Sequence, residues 1–355
     1  MYIVIGILIF GVLIAVHELG HFLAAKKLGV RVNEFAIGMG PKLLKKQRGE
    51  TLYTWRLLPI GGACVMEGED AEAESARSFT AQTRPRRVVI LAAGAFFNFL
   101  VGVVLIAVLC AGENNIVGTT VGGLFPGFPN EGENGLMAGD TLLSVNGERL
   151  YYADDFSTFM ALPSGADGVV DLVLRRGGEK ITLRDFPLAP REYTIDGVTV
   201  TKFGISFNGV EPTFGAKLKY TGYMTMNFVR LARVGIQMLV TGDVGVRDLS
   251  GPVGIVSAIN EVGRTPNRSF ADKARALTYF AAFLAVNLAV MNLLPIPALD
   301  GGRIFALAVT FCVEKIIRRR LNPKYEGYVH AAGFILLMGL MLVVMVSDVM
   351  KLFHG

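Results

Sequence analysis

Residues 16–25 read VHELGHFLAA and lie inside an otherwise apolar run from Met1 to Ala25. A helix needs roughly 20 residues to cross about 30 Å of hydrocarbon, so the run reads as a membrane helix carrying two histidines and a glutamate. His17 and His21 are four apart, which puts both imidazoles on one helix face about one turn apart, the spacing that lets two nitrogens reach one zinc ion. Glu18 falls beside the first histidine on a neighbouring face, where it can reach a water instead of the metal. The plain alternatives are a chance HExxH or two satisfied core histidines. Ionisable groups inside a span are costly and default to a functional role, and two of the chain's four histidines sit here.

Composition agrees with a membrane setting. Of 355 residues 52% are hydrophobic, and the mean hydropathy is +0.47, which points away from a soluble protein. Cys64, Cys110 and Cys312 are far apart and contain no CxxC pair, so they supply neither a disulfide framework nor a cysteine metal site. The net charge of +5 comes from basic residues beside apolar segments, not from a stripe interleaved with aromatics, which argues for membrane topology and against nucleic acid.

The expected fold class is therefore a polytopic α-helical membrane protein with four transmembrane helices: Met1 to Ala25, Val88 to Ala111, Leu277 to Leu299 and Tyr328 to Met350. The first lacks a basic segment before it and is followed by Lys26 and Lys27, so it is expected to be a retained helix, not a signal peptide. Residues 26–87 carry twelve Lys and Arg in 62 positions and residues 301–327 carry six in 27, against sixteen in 164 for residues 112–275. The basic-rich connections should be cytoplasmic and both termini extracytoplasmic.

A catalytic zinc usually takes three protein ligands and leaves one position open. Residues 292–302, NLLPIPALDGG, offer the third: Pro295 and Pro297 break the third expected span, and such backbone is tolerated at membrane depth only beside protein or a water-filled cavity. Asp300 follows at the leaflet where His17 and His21 also lie. Its plainer role is to cap a helix starting near Arg303. With Zn²⁺, ionised Asp300, ionised Glu18 and two neutral histidines, the site is formally neutral, as a low-dielectric setting favours. A metal-assisted hydrolysis of peptide bonds is expected, with Glu18 as the proton-transferring base.

HELGH, the run GMGPKL, AGAFFNF (93–99), GPVGI (251–255) and NLLPIPALDGG together resemble the site-2 protease family of intramembrane zinc metalloproteases, in its bacterial regulator-of-sigma-E branch. The resemblance implies that His17, His21 and Asp300 ligate zinc and that Glu18 is catalytic. It also implicates Asn98 and Asn292 in holding the substrate strand or the active-site aspartate. The second motif departs from the family pattern at Ala95, where a proline is usual. Single-span membrane proteins in the cytoplasmic (inner) membrane are the implied substrates, for example an anti-sigma factor or a remnant signal peptide.

Between the second and third spans, GLMAGDTLLSVNGERL (135–150) has apolar alternation followed by Asn146-Gly147, a tight-hairpin pair. Residues 169–188 read as a second hairpin around Gly177-Gly178. Residues 115–208 look like an inserted extracytoplasmic PDZ domain, a β-rich module that accepts extended peptide ligands. The expected organisation is a membrane core at 1–111, the PDZ-like domain at 112–210, a surface helix and connector at 211–275 and a second membrane core at 276–355. Residues 32–66 alternate enough for a hairpin, and the resemblance suggests that it pairs with unwound substrate. Two other functions compete with proteolysis: a zinc transporter, which would need polar groups along a path through several spans, and a PDZ adaptor without catalysis.

Overall fold

A 26-residue apolar helix, α1 (Tyr2–Lys27), opens the chain. The structure, a computed structural model, describes residues 2–69, 75–162, 167–195, 198–243, 269–318 and 324–354. After α1 come strands β1 (Val32–Arg48) and β2 (Thr51–Met66) and helix α2 (Arg84–Ala111). A β-rich stretch follows: β3 (Ile116–Leu124), β4 (Thr141–Val145), β5 (Glu148–Arg149), helix α3 (Ala153–Met160), then β6 (Val169–Arg176), β7 (Glu179–Pro187), β8 (Arg191–Ile195), β9 (Val198–Lys202) and β10 (Ile205–Val210). Among the described residues, four helices follow: α4 (Phe214–Thr241), α5 (Phe270–Asn292), α6 (Asp300–Ile317) and α7 (Lys324–His354). The motif GPVGI at 251–255 lies outside the described residues.

Three of these helices are long and apolar enough to cross a membrane: residues Val4–Lys27 of α1, all of α2 and all of α5. On α2, Phe96, Leu100, Val104 and Val108 recur every four residues and are 46–63% exposed, an apolar stripe that lipid would cover at no cost and water would not. The fourth expected span falls on α7, whose described side chains are apolar over Ala331–Ser347. The chain is a membrane protein with an inserted β-rich region, in two compact units: Met1–Leu109 with Phe228–Gly355, and Cys110–Asn227.

In the first unit, the end of α1 packs with β1, β2, α2 and α6 around Ala25, Val32, Phe35, Met66, Phe79, Ile90, Leu91 and Leu307. Further along α1, Leu13 packs on Leu284 and Ala285 of α5. These two clusters fix α1 against every element that approaches its histidines. The sequence predicts a simple hairpin at 32–66, and the antiparallel pair is there, but more curled. Residues 34–37 pair on one side with 62–65 and on the other with 52–55, while 42–48 pair with 51–56. The reversal falls at Gly38 and Gly40, both at φ +87°, with Pro41 beside them. Positive φ is cheap only for glycine.

The third expected span ends earlier than Leu299. Helix α5 starts at a capping box, in which the Ser269 hydroxyl accepts from the Asp272 backbone N–H at 3.1 Å and the Asp272 carboxylate accepts from the Ser269 N–H at 3.2 Å. It stops at Asn292, because Pro295 and Pro297 cannot continue it. The chain turns through residues 293–299 with Ala298 at φ +80° and re-enters a helix at Asp300. A Cβ on Gly301 would sit 2.3 Å from the Leu293 and Leu294 carbonyl oxygens, so only glycine lets α6 start this close to the turn. With Ala95 in place of the usual proline, α2 runs unbroken.

The second unit is an antiparallel sheet in the order β10-β3-β4-β6-β7, with β5 paired to β4. Asn146 and Gly147 both have positive φ and join Val145 to Glu148, as the Asn-Gly pair predicts. Gly177 and Gly178 do the same between Arg176 and Glu179. Leu136, Leu142, Leu172 and Leu174 form the buried interior. Buried Asp140 receives hydrogen bonds from the Arg176 Nε at 2.8 Å and Nη2 at 2.7 Å.

The curled hairpin is held by charge. Burial pushes the Glu34 carboxyl up, but hydrogen bonds from Lys42, Arg56 and Thr54 outweigh it and hold its pKa at about 2 instead of 4.5. At the tip, Arg77 and Lys26 likewise hold Glu50 at about 2. A depressed carboxylate pKa contributes stability above its ordinary value and loses it as pH falls through the folded value. Acid titration followed by the fluorescence of Trp55, the chain's single tryptophan, should therefore report hairpin loosening from about pH 4.5 down to about 2, a loss that Glu34→Gln should shrink. A flat signal through that window would contradict the ionic account.

Candidate metal centre

Helix α1 brings His17 and His21 to one face, with ring centroids 4.7 Å apart. The first residue of α6, Asp300, meets them from the other side. Its Oδ2 lies 3.1 Å from His17 Nε2 and 3.3 Å from His21 Nε2, and the two Nε2 atoms are 3.1 Å apart. Among the described residues these three form a group able to hold a metal ion. The three separations are close to the edges of a tetrahedron whose ligands stand about 2.0–2.1 Å from a central zinc, roughly 3.3 Å. Among the described residues, buried Asp300 Oδ2 has no hydrogen-bond partner. Three converging lone-pair atoms with one left unsatisfied is the pattern a cation resolves, so the donors present fit zinc.

The surroundings favour one protonation pattern. His21 Nδ1 lies 2.9 Å from the Ile90 carbonyl oxygen of α2, to which it can only donate. That contact puts the neutral ring's proton on Nδ1 and leaves Nε2 as an acceptor facing Asp300, the outer-shell arrangement typical of metal-bound histidine. Among the described residues, His17 Nδ1 is buried without a partner. Gly94 of α2 closes the site: a Cβ there would stand 2.4 Å from His21 Nε2 and 2.7 Å from His17 Cε1.

Glu18 stays outside the three-donor group. Its Cγ lies against Gly62 of β2, where an added Cβ would come within 2.9 Å. Burial pushes the nearby Cys64 thiol up, and the carboxylates of Glu18 and Glu69 push it further. Asn98 is buried on α2 with Oδ1 unpartnered, one helical turn beyond Gly94. Asn292 ends α5, half-buried. Among the described residues neither asparagine hydrogen bonds to His17, His21 or Asp300. Sequence reasoning missed the Ile90 carbonyl and the Gly94 cradle. A backbone acceptor carries no residue signal, and Gly94 has one only as part of the AGA run.

Two imidazoles on an apolar helix, a carboxylate that meets them from a second helix and another carboxylate beside them define a membrane-embedded metallohydrolase. The sequence profile of peptidase family M50 matches residues 5–340. A Clostridium perfringens relative that carries the provisional name of a zinc metalloprotease is 37% identical over 98% of this chain and 98% of its own length. The zinc metalloprotease RasP of Geobacillus kaustophilus is 29% identical over 98% of this chain and 97% of its own. The regulator of sigma-W protease RasP of Bacillus subtilis is 28% identical over 98% of each. The chain belongs to peptidase family M50, the site-2 proteases, and is a zinc-dependent metalloendopeptidase.

Gly94→Ala should raise helix propensity by about 1 kcal/mol and yet lower zinc affinity by about tenfold or more, because the added methyl displaces the His21 ring. Chelator competition on the purified protein measures it. Unchanged affinity would mean that α2 does not frame the metal.

Proposed function

We propose that this metallopeptidase cuts peptide bonds inside the transmembrane segments of single-span membrane proteins, with His17, His21 and Asp300 holding zinc and Glu18 as the base. The observation that carries the reading is the 3.1–3.3 Å triangle of Asp300 Oδ2 with the two histidine Nε2 atoms on a helix apolar enough to span. His21 lies six residues before Lys27, about 9 Å along the axis at 1.5 Å per residue. That spacing supports a site near the basic, cytoplasmic side.

Zinc at this point would polarise a scissile carbonyl and acidify a neighbouring water. Glu18 takes the proton from the attacking water and hands it to the leaving amide nitrogen, as its place beside the donor group and not within it supports. A substrate helix must first give up internal hydrogen bonds around the cut amide, and a strand edge can replace them. Residues 62–65 of β2 pair with β1 on one side and pass Glu18 at Gly62, so this edge is the docking rail for the unwound segment. Asn98, with its unpartnered Oδ1, and Asn292 hold that segment or the aspartate.

The membrane part comprises four spans, α7 supplying the fourth, within the core segments 1–111 and 276–355. Residues 211–275 carry the surface helix and connector. Segment 112–210, whose two tight hairpins support a PDZ-like reading, is extracytoplasmic with both termini and screens or binds extended peptide. The cytoplasmic membrane of a bacterium is the location. Membrane-anchored anti-sigma factors are the first substrate class, supported by the name of the Bacillus subtilis relative, and remnant signal peptides the second. Neither a transport role nor a catalytically silent adaptor draws support from the family.

Co-expression with tagged single-span substrates tests the assignment. Glu18→Gln should lower cleavage by about 10²–10⁴-fold with zinc retained, whereas Asp300→Asn should lose both zinc and cleavage. Cleavage at the wild-type rate by Glu18→Gln would remove the base, and full zinc in Asp300→Asn would remove the third ligand.

A further inference from the structure

Asp300 is the only one of the three donors outside α1, and it sits on the first turn of a separate helix entered through a proline-broken turn. Residue Leu299, at the helix entrance, makes no side-chain capping bond. Something must therefore fix the rotation and depth of α6. Asp300, Arg303 and Leu307 follow at i, i+3 and i+7, one face of the helix. Leu307 is 3% exposed in the core shared with α1, β2 and α2. Between the metal donor and that core contact, Arg303 Nη1 donates to Glu69 Oε1, and both side chains are largely shielded, at 25% and 20% exposure.

Glu69 stands at the end of a well-held stretch. It follows Met66, itself in the core, in a segment pinned by Glu67 N–H to the Arg31 carbonyl at 3.0 Å and by Phe79 N–H to the Glu67 carbonyl at 2.8 Å. The Glu67 carboxylate accepts from the Ser78 hydroxyl at 2.9 Å.

We infer that Arg303 is a positioning residue, whose ion pair with Glu69 sets α6 so that Asp300 completes the metal site. The inference rests on the ligand assignment under Proposed function. A second ion pair, Arg84 with Glu314, holds the far end of α6. It lies fourteen residues beyond Asp300, about 21 Å at 1.5 Å per residue, and serves as the internal control.

The test is a double-mutant cycle on the full chain in detergent, reading zinc affinity by competition with a chromogenic chelator, alongside the unfolding temperature. Arg303→Gln and Glu69→Gln should each weaken zinc binding by about 10–100-fold, the range for groups that orient a ligand. The double variant should be no weaker than either single, since the two act as one unit. Arg84→Gln should keep wild-type zinc affinity even where it lowers the unfolding temperature. Wild-type affinity in Arg303→Gln, fully additive losses in the double variant, or an equal loss in Arg84→Gln would each overturn the inference. If the wild type held no tight zinc, or Asp300→Asn held it undiminished, the ligand assignment would fail and take this inference with it. With both of those behaving as expected, a silent Arg303→Gln removes the positioning role alone.

Discussion

Two imidazole nitrogens on a helix built for hydrocarbon and one carboxylate oxygen from the start of a second helix are held within 3.3 Å of one another. Lone pairs that close repel, and an unsatisfied buried carboxylate oxygen costs free energy in a low-dielectric setting. A doubly charged cation reverses both terms, and with Asp300 and Glu18 ionised the total is neutral. Much of the remaining fold serves to keep those donors converging. Two apolar clusters grip α1 on either side of the histidines, and the Ile90 carbonyl of α2 orients the His21 ring.

The second constraint is that a site for hydrolysis needs irregular backbone where a membrane forbids it. The chain meets this by breaking α5 with two prolines and restarting in α6, whose Gly301 lets its first turn pack directly on the Leu293 and Leu294 carbonyls. The curled β1-β2 element is the other irregular piece. Its inner segment is paired on both sides, which satisfies its backbone, and ion pairs at Glu34 and Glu50 join its strands and fasten its tip to the end of α1 and to Arg77.

The convergence of the three donors was largely legible in the sequence because HExxH has a helical period and the expected topology brings Asp300 to the same leaflet. Together they place Asp300 beside His17 and His21 from the sequence alone. The Asn146-Gly147 and Gly177-Gly178 turns were legible for a similar reason, since positive φ selects residue type. What escaped was carried by long-range packing. The double-sided register of residues 34–37 depends on where β2 curls, which alternation cannot encode. The Arg303–Glu69 pair joins positions 234 apart in sequence, and Gly94 matters only because two imidazoles lie over it. The end of the third span was overestimated because its composition stays apolar past the point where proline ends the helix.

X-ray absorption at the zinc edge of the purified chain addresses the coordination most directly. The account expects one zinc per chain with only nitrogen and oxygen neighbours, two of them showing the outer-shell scattering of imidazole, and loss of one oxygen neighbour in Asp300→Ala. A sulfur neighbour, a single imidazole, or an unchanged spectrum in Asp300→Ala would contradict it.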